Sequence, residues 1–211
     1  PLFFIVYYSF FDSESGRFTT DYIRFFFTEL SLNAFGLSLF YSLIATAVSL
    51  VIAYPFAYFL SRKKPSSQSI QMILIMLPMW MNMLVRTYSW VNILSTNGII
   101  NSFLGLFGIE PLPLLGGGGA VVLGMVYNYL PYMILPIYTS MSKIGRPLLE
   151  AAEDLGCNGF QKLRKVIMPL SLSGVISGII MVFVPSISTF FISQKMSDNK
   201  IMLIGDIIEQ Q

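Results

Sequence analysis

The feature that most restricts the fold is a stretch of 26 residues without a charged side chain, from Phe35 to Leu60. At a helical rise of about 1.5 Å per residue, this stretch is long enough to cross roughly 30 Å of hydrocarbon with some tilt. It is followed by three consecutive basic residues at positions 62–64. Because basic residues concentrate on the cytoplasmic side of membrane helices, the stretch predicts a membrane span whose C-terminal end faces the cytoplasm.

The composition of the whole chain agrees with a membrane location. Hydrophobic residues make up 55% of the sequence, charged residues only 11%, and the mean hydropathy is +0.69. Such a chain of 211 residues is too apolar for a soluble domain and is expected to cross the lipid bilayer several times. The formal net charge of +2 is too small to indicate a nucleic-acid partner.

The hydropathy pattern predicts an all-α membrane protein in which residues 1–211 form a single transmembrane domain. Charge-poor intervals and turn residues place the predicted spans at 1–11 (partial), 35–60, 70–94, 120–141 and 166–193. The basic residues between positions 143 and 165 place the connecting loop 142–165 in the cytoplasm. A sixth span is expected after the last residue. Gly174 and Gly178, four residues apart, are predicted to let their helix approach a neighbour closely.

The residue inventory excludes most catalytic chemistry for this chain. It contains no histidine, which removes imidazole metal ligands and histidine-based acid or base catalysis. No Gly-Lys dipeptide occurs, so a nucleotide-binding P-loop is absent. The chain is therefore predicted to be neither an enzyme nor an ATPase, and to bind no metal or cofactor itself.

The cytoplasmic loop has the start and stop signals of two consecutive helices. Pro147 suits the first position of a helix, where its missing N–H would be unpaired anyway, and Gly156 suits the left-handed residue that ends it. Asn158 then suits the N-cap of a second helix that leads into the apolar run from Val166. The first helix is amphipathic, with Leu148, Leu149, Ala152 and Leu155 predicted on one stripe. A helix this short is marginal alone, so we expect it to dock into a partner.

This loop resembles the cytoplasmic loop of the transmembrane permease subunits of ABC importers. Its residues follow the pattern E-A-A, three residues, G, nine residues, I-x-L-P, with Glu150, Ala151, Ala152, Gly156 and Pro169 at the matching positions. Val166 and Met168 replace the isoleucine and the leucine, conservatively in volume and polarity. The resemblance implies a type I importer permease fold and a coupling helix seated in a groove of a separate ATPase. The residues it assigns to ATPase coupling are Glu150, Ala151, Ala152, Asp154, Leu155 and Gly156.

A wider resemblance links the chain to the bacterial spermidine/putrescine permease subunits. It rests on the segments 77–80 (LPMW), 86–88 (RTY), 94–98 (LSTNG) with Asn101, and 203–208 (LIGDII). It implies a multi-pass protein of the bacterial cytoplasmic (inner) membrane within a heteromeric importer. The expected partners are two ATPase subunits that bind ATP and Mg²⁺, a second related permease subunit, an extracytoplasmic polyamine-binding protein and the polyamine itself.

A path for a polyamine should offer oxygen ligands and aromatic faces to its ammonium groups, each cation–π contact contributing about 0.5 to 2 kcal/mol. The candidates for this path are Asn82, Arg86, Tyr88, Trp90, Tyr127, Asn128, Asp198 and Asp206. The acidic residues of the C-terminal segment are expected to flank the outer mouth. Arg86 has two interpretations, because it can contact substrate or can anchor its helix at the interface. Each aromatic can equally serve helix packing.

Two other functions are compatible with the same pattern. Permeases of the same class that import ferric ion, phosphonates or other small solutes share several of these features. An ATP-independent channel or secondary carrier is the alternative outside the class. The hydropathy pattern shows no inverted repeat, which weakens the case for a secondary carrier.

Overall fold

The computed structural model describes residues 27–209 together with Phe10, Phe18 and Arg24, so the predicted partial span at 1–11 lies outside it apart from Phe10. The helices of the described part are α1 (Glu29–Ser61), α2 (Pro65–Trp80), α3 (Met83–Leu94), α4 (Ile99–Gly105), α5 (Gly118–Ser142), α6 (Arg146–Asp154), α7 (Gly159–Lys162), α8 (Met168–Ile187), α9 (Phe191–Met196) and α10 (Ile204–Glu209). A π-helical segment, Leu163–Ile167, joins α7 to α8.

Among the described residues, three helical segments are each long and apolar enough to cross a membrane, and a bent pair can form a fourth span: α1, α5, the continuous segment Gly159–Ile187 that contains α8, and the pair Pro65–Trp80 with Met83–Gly105. Helix α5 packs against both α1 and α8, and these two also contact each other. The face of α1 that is buried carries small residues at a spacing of three or four: Ala34, Ser38, Ser42, Ala45, Ser49, Ala53 and Ala57. Small side chains allow helix backbones to approach within a membrane, which explains this stripe.

The close contact between α5 and α8 depends on two glycines. A Cβ atom at Gly174 would lie 2.6 Å from the carbonyl oxygen of Pro136, and one at Gly178 would lie 2.8 Å from the sulfur of Met133. Both positions are buried. The prediction that this pair serves helix packing is therefore confirmed.

The interval predicted as one span at 70–94 is divided into two helices. Helix α2 and the following segment Met83–Gly105 meet at an angle of 91°. Pro78 lies in the last turn of α2, and Asn82 begins α3 by accepting a 2.8 Å hydrogen bond from the backbone N–H of Leu84. A proline that weakens one helix end and an N-cap residue four positions later together account for the bend. The predicted single span therefore corresponds to a bent pair of helices, which together are long and apolar enough for one broken span or a re-entrant loop.

The interval predicted as a span at 166–193 also ends early. Helix α8 stops at Ile187, and α9 begins at Phe191 after a three-residue break. Helix α9 packs on α3 and α5, and α10 packs on α1. The N–H of Ile204 donates a 2.8 Å hydrogen bond to Oγ of Ser38, which fixes the start of α10 to α1.

In the described part of the chain the core consists of two hydrophobic clusters, one toward each end of the helix bundle. The cluster near the basic residues is named the cytoplasmic cluster after the predicted orientation, and it includes Ala57, Ile137, Met141 and Ile167. The outer cluster includes Met125, Ile192, Met196 and Leu203, so the short helices α9 and α10 close the end of the bundle opposite the loop 142–165.

Candidate functional site

Helix α6 forms most of the exposed loop between α5 and α8. It begins after Gly145 and has Pro147 in its first turn. The chain then turns at Gly156, whose φ is +82°. In this left-handed region residues with a side chain are strained, so the sequence prediction for Gly156 is confirmed.

The turn after α6 is closed by two backbone hydrogen bonds. The N–H of Gly156 donates to the carbonyl of Glu153 at 2.8 Å, and the N–H of Cys157 donates to the carbonyl of Ala152 at 2.9 Å. This pair is the Schellman arrangement that ends helices at a glycine. It satisfies two carbonyls that the end of α6 would otherwise leave unpaired.

The second helix of the loop begins with a complete capping box. Oδ1 of Asn158 accepts from the N–H of Gln161 at 2.9 Å, and Oε1 of Gln161 accepts from the N–H of Asn158 at 3.0 Å. Lys162 forms a salt bridge with Glu153, which connects α7 back to α6. The predicted cap at Asn158 is confirmed, and the two helices form one braced unit.

The apolar residues of this unit divide into an inner and an outer set. Ala152 is buried and Leu149 packs against the cytoplasmic cluster. Leu148 is exposed, and Leu155 and Phe160 are 86% and 71% exposed. The predicted stripe therefore has a buried part, Leu149 and Ala152, and an exposed part, Leu148 and the C-cap residue Leu155. Glu150, Ala151 and Asp154 are exposed as well.

Two of the candidate path residues lie at the bend between α2 and α3. Asn82 is exposed and its side chain caps α3. Arg86 lies one turn further along α3 and is half-buried, with Nε and Nη1 shielded from solvent and without a hydrogen-bond partner among the described residues. The bend therefore places an amide and a guanidinium near each other on α3.

Three aromatic candidates lie between α3 and its neighbours. The rings of Trp90 and Tyr127 meet edge to face at 5.4 Å, which joins α3 to α5. Tyr88 is 47% exposed and meets Phe191 of α9 at 5.9 Å. Nζ of Lys195 lies 6.0 Å from the centre of the Tyr88 ring. Packing within the chain thus uses all three rings, and Tyr88 stays partly exposed beside Lys195.

The remaining candidates differ sharply in exposure. Asn128 is buried in α5, where its Nδ2 donates to the carbonyl of Gly124 at 2.9 Å. Asp198 is exposed in a turn with φ of 54°. Asp206 is only 2% exposed, which corrects the expectation that it faces the outer mouth.

Asp206 connects α10 to α9. Its carboxylate accepts a hydrogen bond from Oγ of Ser193 at 2.9 Å and another from the N–H of Leu203 at 2.6 Å. Burial raises the pKa of Asp206, and these two donors oppose that shift. The carboxylate holds the outer end of the bundle together, because it ties two short helices that have few other polar contacts.

A cavity of about 370 Å³ was not predicted from the sequence. It lies where the bend before α3 and the break after α8 come together beside α5. Its lining includes Met83, Tyr129, Thr189 and Phe191, and the hydroxyl of Tyr129 donates to the carbonyl of Pro185 at 3.3 Å. The prolines at positions 78 and 185 were the sequence signal, since each precedes a helix break by a few residues.

The long apolar helices and the exposed loop between α5 and α8 define a multi-pass integral membrane protein of the all-α class. A family model described as the binding-protein-dependent transport system inner membrane component matches residues 49–197, and the chain belongs to this family. The family has the type I ABC permease fold and resides in the inner membrane, as predicted. The matched interval contains the whole loop and the bend between α2 and α3.

The chain is similar to several curated permeases. It is 39% identical over 176 residues to the spermidine/putrescine transport system permease protein PotB of Haemophilus influenzae, covering 82% of this chain and 62% of that protein. PotB of Escherichia coli is also 39% identical over 176 residues, with 64% of its length covered. The inner membrane ABC transporter permease protein YdcU of Escherichia coli is 29% identical over 196 residues. The chain spans less than two thirds of the length of these relatives.

Proposed function

We propose that this chain is a membrane-spanning permease subunit of an ATP-driven importer that moves polyamines such as spermidine and putrescine into the cell. Membership in the transport family and similarity to PotB support the substrate class. The observation that carries the coupling role is the exposed apolar end of the braced loop, formed by Leu155 and Phe160. Exposed apolar side chains on a rigid turn are typical of a surface that binds a partner.

The partner at this loop is a separate ATPase subunit, present in two copies, which binds ATP and Mg²⁺. The other partners are a second, related permease subunit and an extracytoplasmic binding protein that delivers the polyamine. This chain supplies the helical unit that fits a groove of the ATPase. Leu155, Phe160 and Leu148 enter that groove, and Glu150 and Asp154 lie at its polar rim.

The geometry of the loop suits the transmission of movement. The Schellman turn, the capping box and the Lys162–Glu153 pair fix α6 relative to α7. Helix α7 continues through Leu163–Ile167 into α8 without a break. Closure of the ATPase pair therefore moves α6, and α8 moves with it against α5 at the glycine contacts. The spans change from inward-facing to outward-facing, and hydrolysis resets them.

The path for the polyamine passes the bend between α2 and α3. There the amide of Asn82 and the part of the Tyr88 ring that Lys195 leaves exposed offer weak dipole and cation–π contacts to an ammonium group. Weak contacts permit release on the inner side, so the external binding protein holds the selectivity. Arg86 lies between these two residues in sequence on the same helix, and its positive charge keeps the binding of a cation there weak.

The experiment is uptake of labelled spermidine into proteoliposomes that contain the complete transporter and its binding protein. We expect uptake that requires ATP, is reduced by excess unlabelled putrescine and is unaffected by an unrelated anion. Uptake driven by an ion gradient without ATP would replace the proposal by a secondary carrier. ATP hydrolysis stimulated by the binding protein without spermidine uptake would assign the permease to another solute.

A further inference from the structure

A groove of about 510 Å³ lies between α5 and α8, in the half of these helices that is attached to the cytoplasmic loop. Its wall on α5 includes Thr139, Ser140 and Lys143, and its wall on α8 includes Ser173 and Ser177. We call this surface the hydroxyl groove. Thr139, Ser173 and Ser177 are exposed, so a ligand from outside the chain reaches them directly.

The other side of α8 has a different chemical character. A second groove, of about 380 Å³, separates α8 from α1, and its wall on α8 is formed by Met168, Leu172 and Val175. Ile176 and Ile180 are exposed on the same helix. Hydrocarbon suits such an apolar side, but it leaves the oxygen atoms of a polar side without hydrogen bonds, which is costly. The two sides of α8 therefore indicate lipid at the apolar groove and water at the hydroxyl groove.

The hydroxyls of the groove have already used their protons. Oγ1 of Thr139 donates to the carbonyl of Leu135 at 2.8 Å, and Oγ of Ser177 donates to the carbonyl of Ser173 at 2.9 Å. Oγ of Ser140 donates to a backbone carbonyl of α8 at 3.3 Å. A hydroxyl has one proton and two lone pairs, so each of these oxygens still accepts hydrogen bonds but no longer donates one. The groove therefore favours a ligand that donates hydrogen bonds.

The remaining lining of the groove narrows the class of ligand. Leu135, Leu170 and Met181 give it apolar walls beside the hydroxyls. None of the described lining residues carries a carboxylate or an imidazole, so a metal ion finds no strong ligand there. A phosphonate would need several donors, and Lys143 is the one charged donor in the lining. Ammonium groups joined by methylene chains match both the acceptors and the apolar walls.

We propose that the hydroxyl groove is the inner part of the polyamine path, along which an ammonium group moves from one hydroxyl oxygen to the next. This inference rests on the proposed import of polyamines. Ser173 and Ser177 are four residues apart on α8, so successive acceptors are separated by about 6 Å along the helix axis. Lys143 follows the last residue of α5, and its positive charge opposes tight binding of a cation at that end. Weak binding there suits release into the cytoplasm.

The first test measures how fast single cysteines in the groove react in the complete transporter. Cys157 is the single cysteine of this chain, so Cys157→Ser provides the background. Ser173→Cys and Ser177→Cys place a thiol in the hydroxyl groove, and Ile176→Cys and Ile180→Cys are the matched controls on the apolar side. A cationic, water-soluble methanethiosulfonate is supplied on both sides of proteoliposomes, and its attachment to this chain is followed by mass spectrometry.

A thiol reacts as the thiolate, which forms in contact with water and not in hydrocarbon. We therefore expect the two groove thiols to react about tenfold faster than the two controls. Spermidine, added with ATP and the binding protein, should occupy the groove and slow the groove thiols by about threefold. The controls should not respond to spermidine.

The second test removes acceptors from the groove. Thr139→Val removes a hydroxyl with little change in shape, and Ser177→Ala removes another. We expect the double variant to need about threefold more spermidine for half-maximal uptake, with an unchanged unfolding midpoint. Ser142→Ala is the matched control, because Ser142 is also exposed on α5 and also donates to a backbone carbonyl, at 3.0 Å, but lies outside the groove lining. It should transport normally.

Two results would overturn this inference alone. Equally slow reaction of all four thiols, in a transporter that still imports spermidine, would show that lipid or another subunit covers the groove. Fast reaction of the groove thiols without any effect of spermidine would show a wet surface outside the path. Absence of spermidine uptake by the transporter without substitutions would instead overturn the proposed function, and this inference with it.

Discussion

The two ends of the helix bundle use glycine for different physical reasons. At the cytoplasmic end, Gly156 has a φ of +82°, and no atom lies within 4 Å of the place where a Cβ would be. At the outer end, a Cβ on Gly205 would lie 2.6 Å from the carbonyl oxygen of Ser188 and 2.9 Å from that of Thr189. The first glycine is required by its own backbone conformation, and the second by a neighbouring segment.

This difference extends to the whole of each end. The conformation of the cytoplasmic loop is fixed largely by local contacts. These join residues within nine positions of one another, as in the capping box and the Lys162–Glu153 pair. The outer end is determined by contacts across the fold, such as the bond from Ile204 to Ser38 and the bonds to Asp206. The loop can therefore move as a unit, while the outer end depends on the helices around it.

The largest effect is expected from Gly156→Val. A β-branched residue in the left-handed region is strained by about 1–3 kcal/mol, so the turn opens and the apolar end of the loop shifts relative to α6. We expect ATP-dependent spermidine uptake in proteoliposomes to fall at least tenfold, while the amount of folded protein in the membrane changes little. Uptake at the level of the unmodified protein would contradict the coupling role.

The matched control is Gly159→Val in the same loop. Gly159 also has open space around its Cβ position, but it lies in the first turn of α7 with an ordinary negative φ. The two variants therefore add the same side chain to equally open positions and differ in backbone strain. Gly159→Val should retain at least half of the uptake.

The next effect is expected from Gly205→Ala at the outer end. Helix propensity favours alanine by about 1 kcal/mol, because Gly205 lies within α10. The new methyl group, however, meets two backbone oxygens that no rotamer change can move. We expect the collision to dominate and the unfolding midpoint to fall by about 5 °C or more.

The control for Gly205 is Gly36→Ala in α1. No atom lies within 4 Å of a Cβ at Gly36, so only helix propensity acts there. The midpoint of Gly36→Ala should remain unchanged or rise slightly. Equal unfolding midpoints for Gly205→Ala and Gly36→Ala would contradict the conclusion that a neighbouring segment requires glycine at the outer end.

The sequence contained the information for the cytoplasmic loop. Glycine at a left-handed position and asparagine at an N-cap have local causes, so Gly156 and Asn158 were predictable without knowledge of the fold. The long apolar run that became α1 was predictable for a similar reason, because its length and lack of charge suffice. The packing role of Gly174 and Gly178 also followed from their spacing.

The outer end was predicted less well because its structure depends on tertiary contacts. The bend before α3 was read as part of one span, since hydropathy does not distinguish a straight helix from two apolar helices at 91°. The sequence predicts Asp206 at the outer mouth because its segment follows the last predicted span on the outer side. Its burial is possible only through donors from Ser193 and Leu203, whose positions the sequence pattern does not give.

The smallest effect is expected from Asn158→Ala, which tests whether the loop is rigid for local reasons. The change removes the side-chain acceptor of the capping box and costs about 1 kcal/mol. Because the cost is confined to the start of α7, the global unfolding midpoint should hardly change. Amide hydrogen exchange at Gln161 and Lys162, whose N–H groups are bonded to Asn158, should instead become about fivefold faster. Asn158→Asp keeps an acceptor at the same place, so it should restore slow exchange. Equal acceleration in both variants would show that contacts other than the cap hold α7.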